Sequence, residues 1–204
     1  MGITAARKYI TELRRKQSDP YLWPDYLTGL PDKAAIIKKI DEFFPKLGEY
    51  SILYVRIANI QPYLLKYGPD RHAEIVQWAA AILKTSSDEC QDGFVGTLNT
   101  HDFIGLCQSE HAPRMFARAR ETFRKKAVTY YAKDDVEKGI VISFDRKDGK
   151  KVQCGLMTLK AVIMDKKLRV KKHEVIRNMA RICDSVEPAE DELAIMNNDM
   201  ILRD

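Results

Sequence analysis

The stretch Phe94-Val95-Gly96-Thr97-Leu98-Asn99-Thr100-His101-Asp102-Phe103-Ile104-Gly105-Leu106-Cys107 sets two short apolar runs around a polar centre. Phe94–Leu98 and Phe103–Cys107 have the composition of strands. The few residues between them make a tight turn, so the segment is predicted as a β-hairpin. Its neighbours on both sides are helical patterns, which places the hairpin tip at the rim of a sheet.

Upstream, Ser51–Ala58 is apolar and rich in β-formers, as a buried strand requires. After a short segment around Pro62, Asp70 is expected to open a long helix with Ile75, Val76, Ala79, Ala80 and Leu83 on its core face. Further upstream, Thr28-Gly29-Leu30-Pro31-Asp32 is a turn, with Asp32 the N-cap of a helix that turns Ile36, Ile37, Ile40, Phe43 and Phe44 inward. Residues 1–19 read as a charged helix with a narrow stripe of Ile3, Ala6, Ile10 and Leu13, broken by Asp19-Pro20 and Trp23-Pro24. That helix has three readings: a connector, a dimer contact, or a helix packed on its own domain.

Downstream, Pro113 starts a helix with Phe116, Ala119, Phe123 and Ala127 inward. Gly139–Phe144 and Val152–Met164 flank Asp148-Gly149, a type I′ hairpin signal. A helix over about 170–184 turns Val175, Ile176, Met179, Ala180 and Cys183 inward, and Leu193–Leu202 is expected to add an edge strand. The order is helix–strand–helix–helix–hairpin–helix–hairpin–helix–strand. It predicts an α+β fold, one central, mostly antiparallel sheet covered by helices.

The 204 residues suffice for one large domain, or one domain with an appendage. A net charge of +5 is a mild bias, far from that of a dedicated nucleic-acid binder. The helix face Arg114, Arg118, Arg120, Arg124, Lys125 and Lys126 is basic but has no aromatic interleaving, and is read as a solvated face. Cys90, Cys107, Cys154 and Cys183 form no Cys-x-x-Cys pair and are expected as free thiols in a reducing compartment. His72, His111 and His173 lack metal-ligand spacing. No apolar run reaches membrane-spanning length, no apolar stretch follows the basic N-terminal residues, and Ala6 stands where a myristoylation motif needs Ser or Thr. A cytoplasmic location without membrane contact is expected.

Three segments together resemble the GGDEF domains of the diguanylate cyclase family. Asp25-Tyr26-Leu27-Thr28-Gly29-Leu30-Pro31 matches the family's opening Asp-x-Leu-Thr-Gly-Leu-Pro. Leu53-Tyr54-Val55-Arg56-Ile57-Ala58-Asn59 is similar to its first strand, and Phe94–Phe103 to its signature hairpin. The stretch from Tyr130-Tyr131 through Gly139, Asp145-Arg146 and Gly149 to Leu156-Met157 resembles a subgroup with a long hairpin after the signature. The resemblance implies a five-stranded, mostly antiparallel, nucleotidyl-cyclase-like sheet flanked by helices, with an extra β-hairpin and an N-terminal helix. It divides the chain into an N-terminal helix or connector over 1–24, a GGDEF-like domain over 25–187 and a tail over 188–204.

In that family two GTP-loaded domains face each other and make cyclic di-GMP, with divalent metal ions held by carboxylates. Carried over residue by residue, the first-strand metal Asp falls on Arg56 and the next Asp on Ala58. The following Lys falls on Gln61, and the two guanine-reading positions on Leu64 and Ala73. The signature glycines fall on Asn99 and Thr100, its first acid on His101, and only the second acid stays acidic, as Asp102. The product-feedback motif Arg-x-x-Asp falls on Cys90 and Gly93, which argues against cyclic di-GMP binding there. One carboxylate facing an arginine is a poor divalent-metal site and is expected to be an ion pair, Arg56 with Asp102.

The resulting expectation is a non-catalytic GGDEF-like signalling or protein-interaction module. It has no cofactor or metal, and its partner is a signalling protein or a second copy of itself. Arg56, His101 and Asp102 are its candidate contacts, with His101 a solvent-exposed turn residue. The alternative is a metal-independent receptor for GTP or cyclic di-GMP that uses Arg56 and the hairpin rim. A third reading is an unrelated α/β enzyme.

Overall fold

The computed structural model describes residues 2–16, 25–144, 149, 151–186 and 192–201. Helix α1 (Gly2–Lys16) is followed by α2 (Lys33–Phe43), strand β1 (Tyr50–Ala58), α3 (Ile60–Tyr67) and α4 (His72–Ser87). The predicted hairpin is β2 (Phe94–Thr97) and β3 (Asp102–Gln108). Next come α5 (Ala112–Ala127), α6 (Lys133–Lys138), β4 (Ile140–Phe144), β5 (Lys151–Gly155), β6 (Thr158–Met164), α7 (Val175–Ser185) and β7 (Leu193–Ile195).

Five strands form one sheet in the order β2-β3-β1-β6-β7, all antiparallel except β7, which runs parallel to β6. Side chains alternate across a strand, so β1 feeds two cores. Leu53, Val55 and Ile57 face α1, α4 and α5, while Ile52 and Tyr54 face α2 and α7. By the same alternation Arg56, two residues after Tyr54, lies on the α2–α7 side, in register with Asp102 of β3 and Lys160 of β6. The N-terminal helix packs on its own domain, as one of its three readings had it. Ala6 and Ile10 join the core under α4 and α5, and the Tyr9 hydroxyl donates to the Thr28 carbonyl at 3.2 Å. The breaks at Asp19-Pro20 and Trp23-Pro24 lie outside the described residues.

Local chemistry explains the boundaries. The Asp32 side chain caps α2 by accepting from the Ala35 N–H at 3.0 Å. Pro113 sits in the first turn of α5, where its missing N–H leaves no helical bond unmade. Gly29, with φ +69°, supplies the left-handed residue that the opening turn requires. Asp135 of α6 accepts from Lys66 Nζ and from the Tyr67 hydroxyl, fastening α6 to α3.

The fold corrects several expectations. Val152–Met164 is two strands in two sheets. β5 pairs only with β4 as a separate ribbon, whereas β6 enters the main sheet, because Gly155-Leu156-Met157 turns the chain and the Met157 N–H is taken by the Tyr131 hydroxyl at 2.9 Å. Gly149, with φ +68°, suits the expected I′ turn; Asp148 lies outside the described residues. The long helix opens at His72 rather than Asp70, and Leu193–Leu202 yields a strand only over Leu193–Ile195 before a short turn at Asn198–Met200. Ile37, expected inward, is 46% exposed and borders an open cavity between α2 and α7. Phe44, Ile176 and Ala180 are likewise only partly buried. All four cysteines are free, with Cys107 and Cys183 buried and Cys90 and Cys154 partly so.

Candidate functional site

The hairpin turn is closed by backbone bonds, in which the Leu98 and Asn99 N–H groups donate to the Asp102 carbonyl at 2.9 and 3.3 Å, and by one side chain. Asn99 Oδ1 accepts from the N–H groups of His101 and Asp102, both at 3.0 Å, and its Nδ2 donates to Asp102 Oδ2 at 2.6 Å. This Asx-type closure does locally what a glycine turn would do. Asp102 is 5% exposed, yet its charge is satisfied: Arg56 Nε donates to Oδ1 at 2.5 Å and Nη2 to Oδ2 at 3.1 Å, a bidentate pair. The same guanidinium donates to the Tyr54 hydroxyl at 2.7 Å and, through Nη1, to Asp184 of α7. The expected Arg56–Asp102 pair is therefore present, within a larger network.

Burial alone would raise the Asp102 carboxyl, but hydrogen bonds from Arg56 and Asn99 outweigh it and hold Asp102 below the usual carboxylate range. Burial likewise works against the Arg56 cation, and Asp102 more than compensates, so Arg56 is held protonated even more firmly than usual. The Tyr54 hydroxyl is pushed up, first by burial and then by the neighbouring Asp102 charge.

His101 is not the solvent-exposed turn residue expected from sequence. Its Nε2 lies 2.7 Å from Nε2 of His72, at the start of α4, with ring centres 5.0 Å apart. The two nitrogens thus lie close to the line joining the rings, so one ring's N–H points at the other's lone pair. That geometry suits a shared proton better than two lone pairs converging on a metal. Burial first, and the adjacent His72 second, lower the His101 pKa below its ordinary 6.5. A lowered value means that the unfolded chain binds the proton more tightly. The stability from neutral His101 is therefore complete above about pH 6.5 and is lost as pH falls through the folded value. His101→Gln is expected to flatten the stability profile just below pH 6.5, measured by urea unfolding at stepped pH.

The opening motif is wired to this hairpin. Asp25 Oδ1 accepts from the Thr28 N–H at 2.7 Å and from its hydroxyl at 2.5 Å. With that proton committed, Thr28 Oγ1 accepts from the Leu30 N–H at 3.2 Å and from the Thr97 hydroxyl at 2.8 Å. The Thr97 N–H then donates to the Pro31 carbonyl at 2.8 Å, which covers the edge of β2 just before the turn.

Two cavities share Arg56, Asn99 and Asp102. One, of about 690 Å³, opens between α2 and α7; the other, of about 270 Å³, lies between the hairpin tip and the junction of β1 with α3, with Lys160 on its wall.

No family model and no curated protein matches the sequence. Solved structures do match the fold. The GGDEF domain of DgcB from Caulobacter crescentus, in complex with cyclic di-GMP, superposes with a TM-score of 0.56 at 12% identity, over 85% of this chain and 91% of that one. The fold is that of a GGDEF domain. The diguanylate cyclase SiaD from Pseudomonas aeruginosa, solved with its activator SiaC, gives 0.58 at 12% identity over 94% of this chain and 67% of that one. The FimX GGDEF domain, also from Pseudomonas aeruginosa, gives 0.54 at 14% identity over 84% and 98%.

Within the GGDEF fold, the positions singled out in the sequence separate into two groups. Arg56, Asn99, His101 and Asp102 meet at the rim, with Ala58 and Gln61 beside them along the smaller cavity. Thr100 is exposed at the tip, and Leu64 and Ala73 line neither of the two cavities: Leu64 packs against the core and Ala73 is exposed. Sequence reading missed Tyr54, Asp184 and His72. Tyr54 was accessible from the two-residue strand period. Asp184 and His72 lie 128 and 29 residues from their partners, at no motif spacing. On the basic face of α5, Arg118 pairs with Glu89, Lys125 with Glu121, Arg124 with Glu192 and Lys126 with Glu74. Its charge is largely neutralised within the chain. No described helix is long and apolar enough to cross a membrane.

Proposed function

We propose that this GGDEF-fold chain is a non-catalytic signalling module that works by protein contact. One observation carries the reading: the guanidinium of Arg56 stands where the resemblance expects a metal-binding carboxylate, and it is bonded to Asp102, Asp184 and Tyr54 at once. A fixed cation there repels a divalent ion, and the remaining carboxylate is already engaged. The partner is a signalling protein or a second copy of the chain. SiaD, which has this fold, was solved with an activator protein, and that makes a dedicated regulatory partner a natural comparison.

The purified chain with GTP and Mg²⁺ is expected to form no cyclic di-GMP, read by chromatography of the nucleotide pool. Turnover would overturn the proposal. A pull-down comparing the native chain with Arg56→Asp then asks whether the rim is part of the contact. The receptor alternative uses Arg56 and the hairpin rim, which border both cavities. Arg56, already bonded to Asp102, Asp184 and Tyr54, has little donor capacity left for a phosphate. Calorimetry with GTP, GDP and cyclic di-GMP separates the two readings, since a receptor gives saturable heat.

A further inference from the structure

The larger cavity shares Arg56, Asn99 and Asp102 with the rim and extends from it between two helices. Its walls are α2, through Ile37 and Ile40, and α7, through Ile176 and Ala180, and Tyr54 lies on its floor. Its volume of about 690 Å³ falls in the middle of the range for small-molecule sites, and such sites combine apolar walls with a few converging polar groups. Ile37 is 46% exposed on this wall, so a molecule seated here removes apolar surface from water.

Charge sets the kind of molecule. Lys33, Arg56, Lys172 and Arg177 line the cavity against Asp41 and Asp102. Asp102 is consumed by Arg56, and Asp41 pairs with Lys172 at 2.7 Å. Lys33, one helical turn before Ile37, makes no ion pair among the described residues. The hairpin turn at Leu98 and Asn99 and the short turn at Lys172 and His173 also border the space. Bounding turns suit a compact molecule better than a peptide helix, which needs an open channel.

We infer that the groove between α2 and α7 binds a small anionic molecule with a flat apolar body, the body lying between Ile37 and Ile176 and the negative charge at Lys33. The site excludes Leu64 and Ala73, so it is separate from the positions that the resemblance assigns to guanine. It needs neither the loss of catalysis nor a protein partner. Because α7 also carries Asp184, the ligand would touch the helix that braces Arg56.

Anilinonaphthalene sulfonate, a flat apolar anion, serves as the probe, with uncharged phenylnaphthylamine as its neutral counterpart. Fluorescence titration of the folded chain is expected to show one saturable site at micromolar concentration. Ile37→Asp weakens it by about tenfold or more, the scale of losing one buried aliphatic contact. Lys33→Glu weakens the sulfonate by roughly fivefold and leaves the neutral probe unchanged, as an exposed ion pair predicts. Ile37 is half-exposed, so its variant is expected to stay folded, checked by circular dichroism. Ile142→Asp, which changes an equally exposed isoleucine on the β4 ribbon, is expected to leave binding intact. Absence of saturable binding, indifference to Ile37→Asp, equal binding of the neutral probe, or loss on Ile142→Asp would each overturn the inference.

Discussion

Replacing Arg56 by alanine is expected to destabilise the chain by about 2–4 kcal/mol at neutral pH, the scale of breaking a buried ion pair from one side. The carboxylate left behind, Asp102, is 5% exposed and would keep hydrogen bonds mainly from Asn99. The pH dependence identifies the cause. In the native chain the Asp102 pKa is depressed, so the pair's stability is present above the ordinary 3.8 and is lost as pH falls through the folded value. In Arg56→Ala, burial acts without the guanidinium and raises that pKa. The penalty therefore shrinks on acidification as the stranded carboxylate takes up a proton. Arg56→Ala/Asp102→Ala is expected to recover part of the loss, and the cycle of denaturant midpoints yields the coupling. A single-mutant penalty independent of pH would mean that packing of the arginine stem, rather than its charge, is what matters.

Gly93→Asp is expected to cost about 3 kcal/mol, or roughly 6–12 °C in Tm for a chain of this size. This substitution would restore the acid that the resemblance expects in the feedback motif, and the fold leaves no room for it. A Cβ at position 93 would stand 2.0 Å from the Ser87 carbonyl oxygen and 2.9 Å from its carbon. Ser87 is buried at the end of α4, and its carbonyl also accepts from the Cys90 N–H at 3.0 Å, so neither side can yield cheaply. Cys90→Arg, at the other position of that motif, meets partly exposed surface and is expected to cost less. Differential scanning calorimetry of the two variants tests the contrast; equal losses would contradict it.

The central hairpin, β1 and the core faces of α4 and α5 were legible in the sequence because each depends on one period or one turn. The ion pair was legible too: β1 and β3 are both single-register strands, so aligning two motifs placed Arg56 opposite Asp102. What the sequence hid arises from contacts between elements. His72 and His101 meet only because α4 starts beside the hairpin tip. Asp184 reaches Arg56 only because α7 packs on that sheet face. The half-exposure of Ile37 goes with the cavity between α2 and α7, and the apolar period of α2 carries no sign of it. The split of Val152–Met164 was invisible because both halves read as strand, and the Tyr131 hydroxyl that takes the Met157 N–H comes from another element.

Strand β1 has a consequence for folding as well as for the rim. Its two antiparallel neighbours, β3 and β6, arrive about 50 and 100 residues later in the chain, through pairs such as Arg56 with Asp102 and with Lys160. Such non-local pairing is slow, because a long loop must close before any contact forms. Until then Tyr50–Ala58 is a nine-residue, largely apolar strand awaiting partners, and Arg56 is its one charged residue. Arg56 thereby also acts as a gatekeeper, interrupting the run that would otherwise invite self-association during folding.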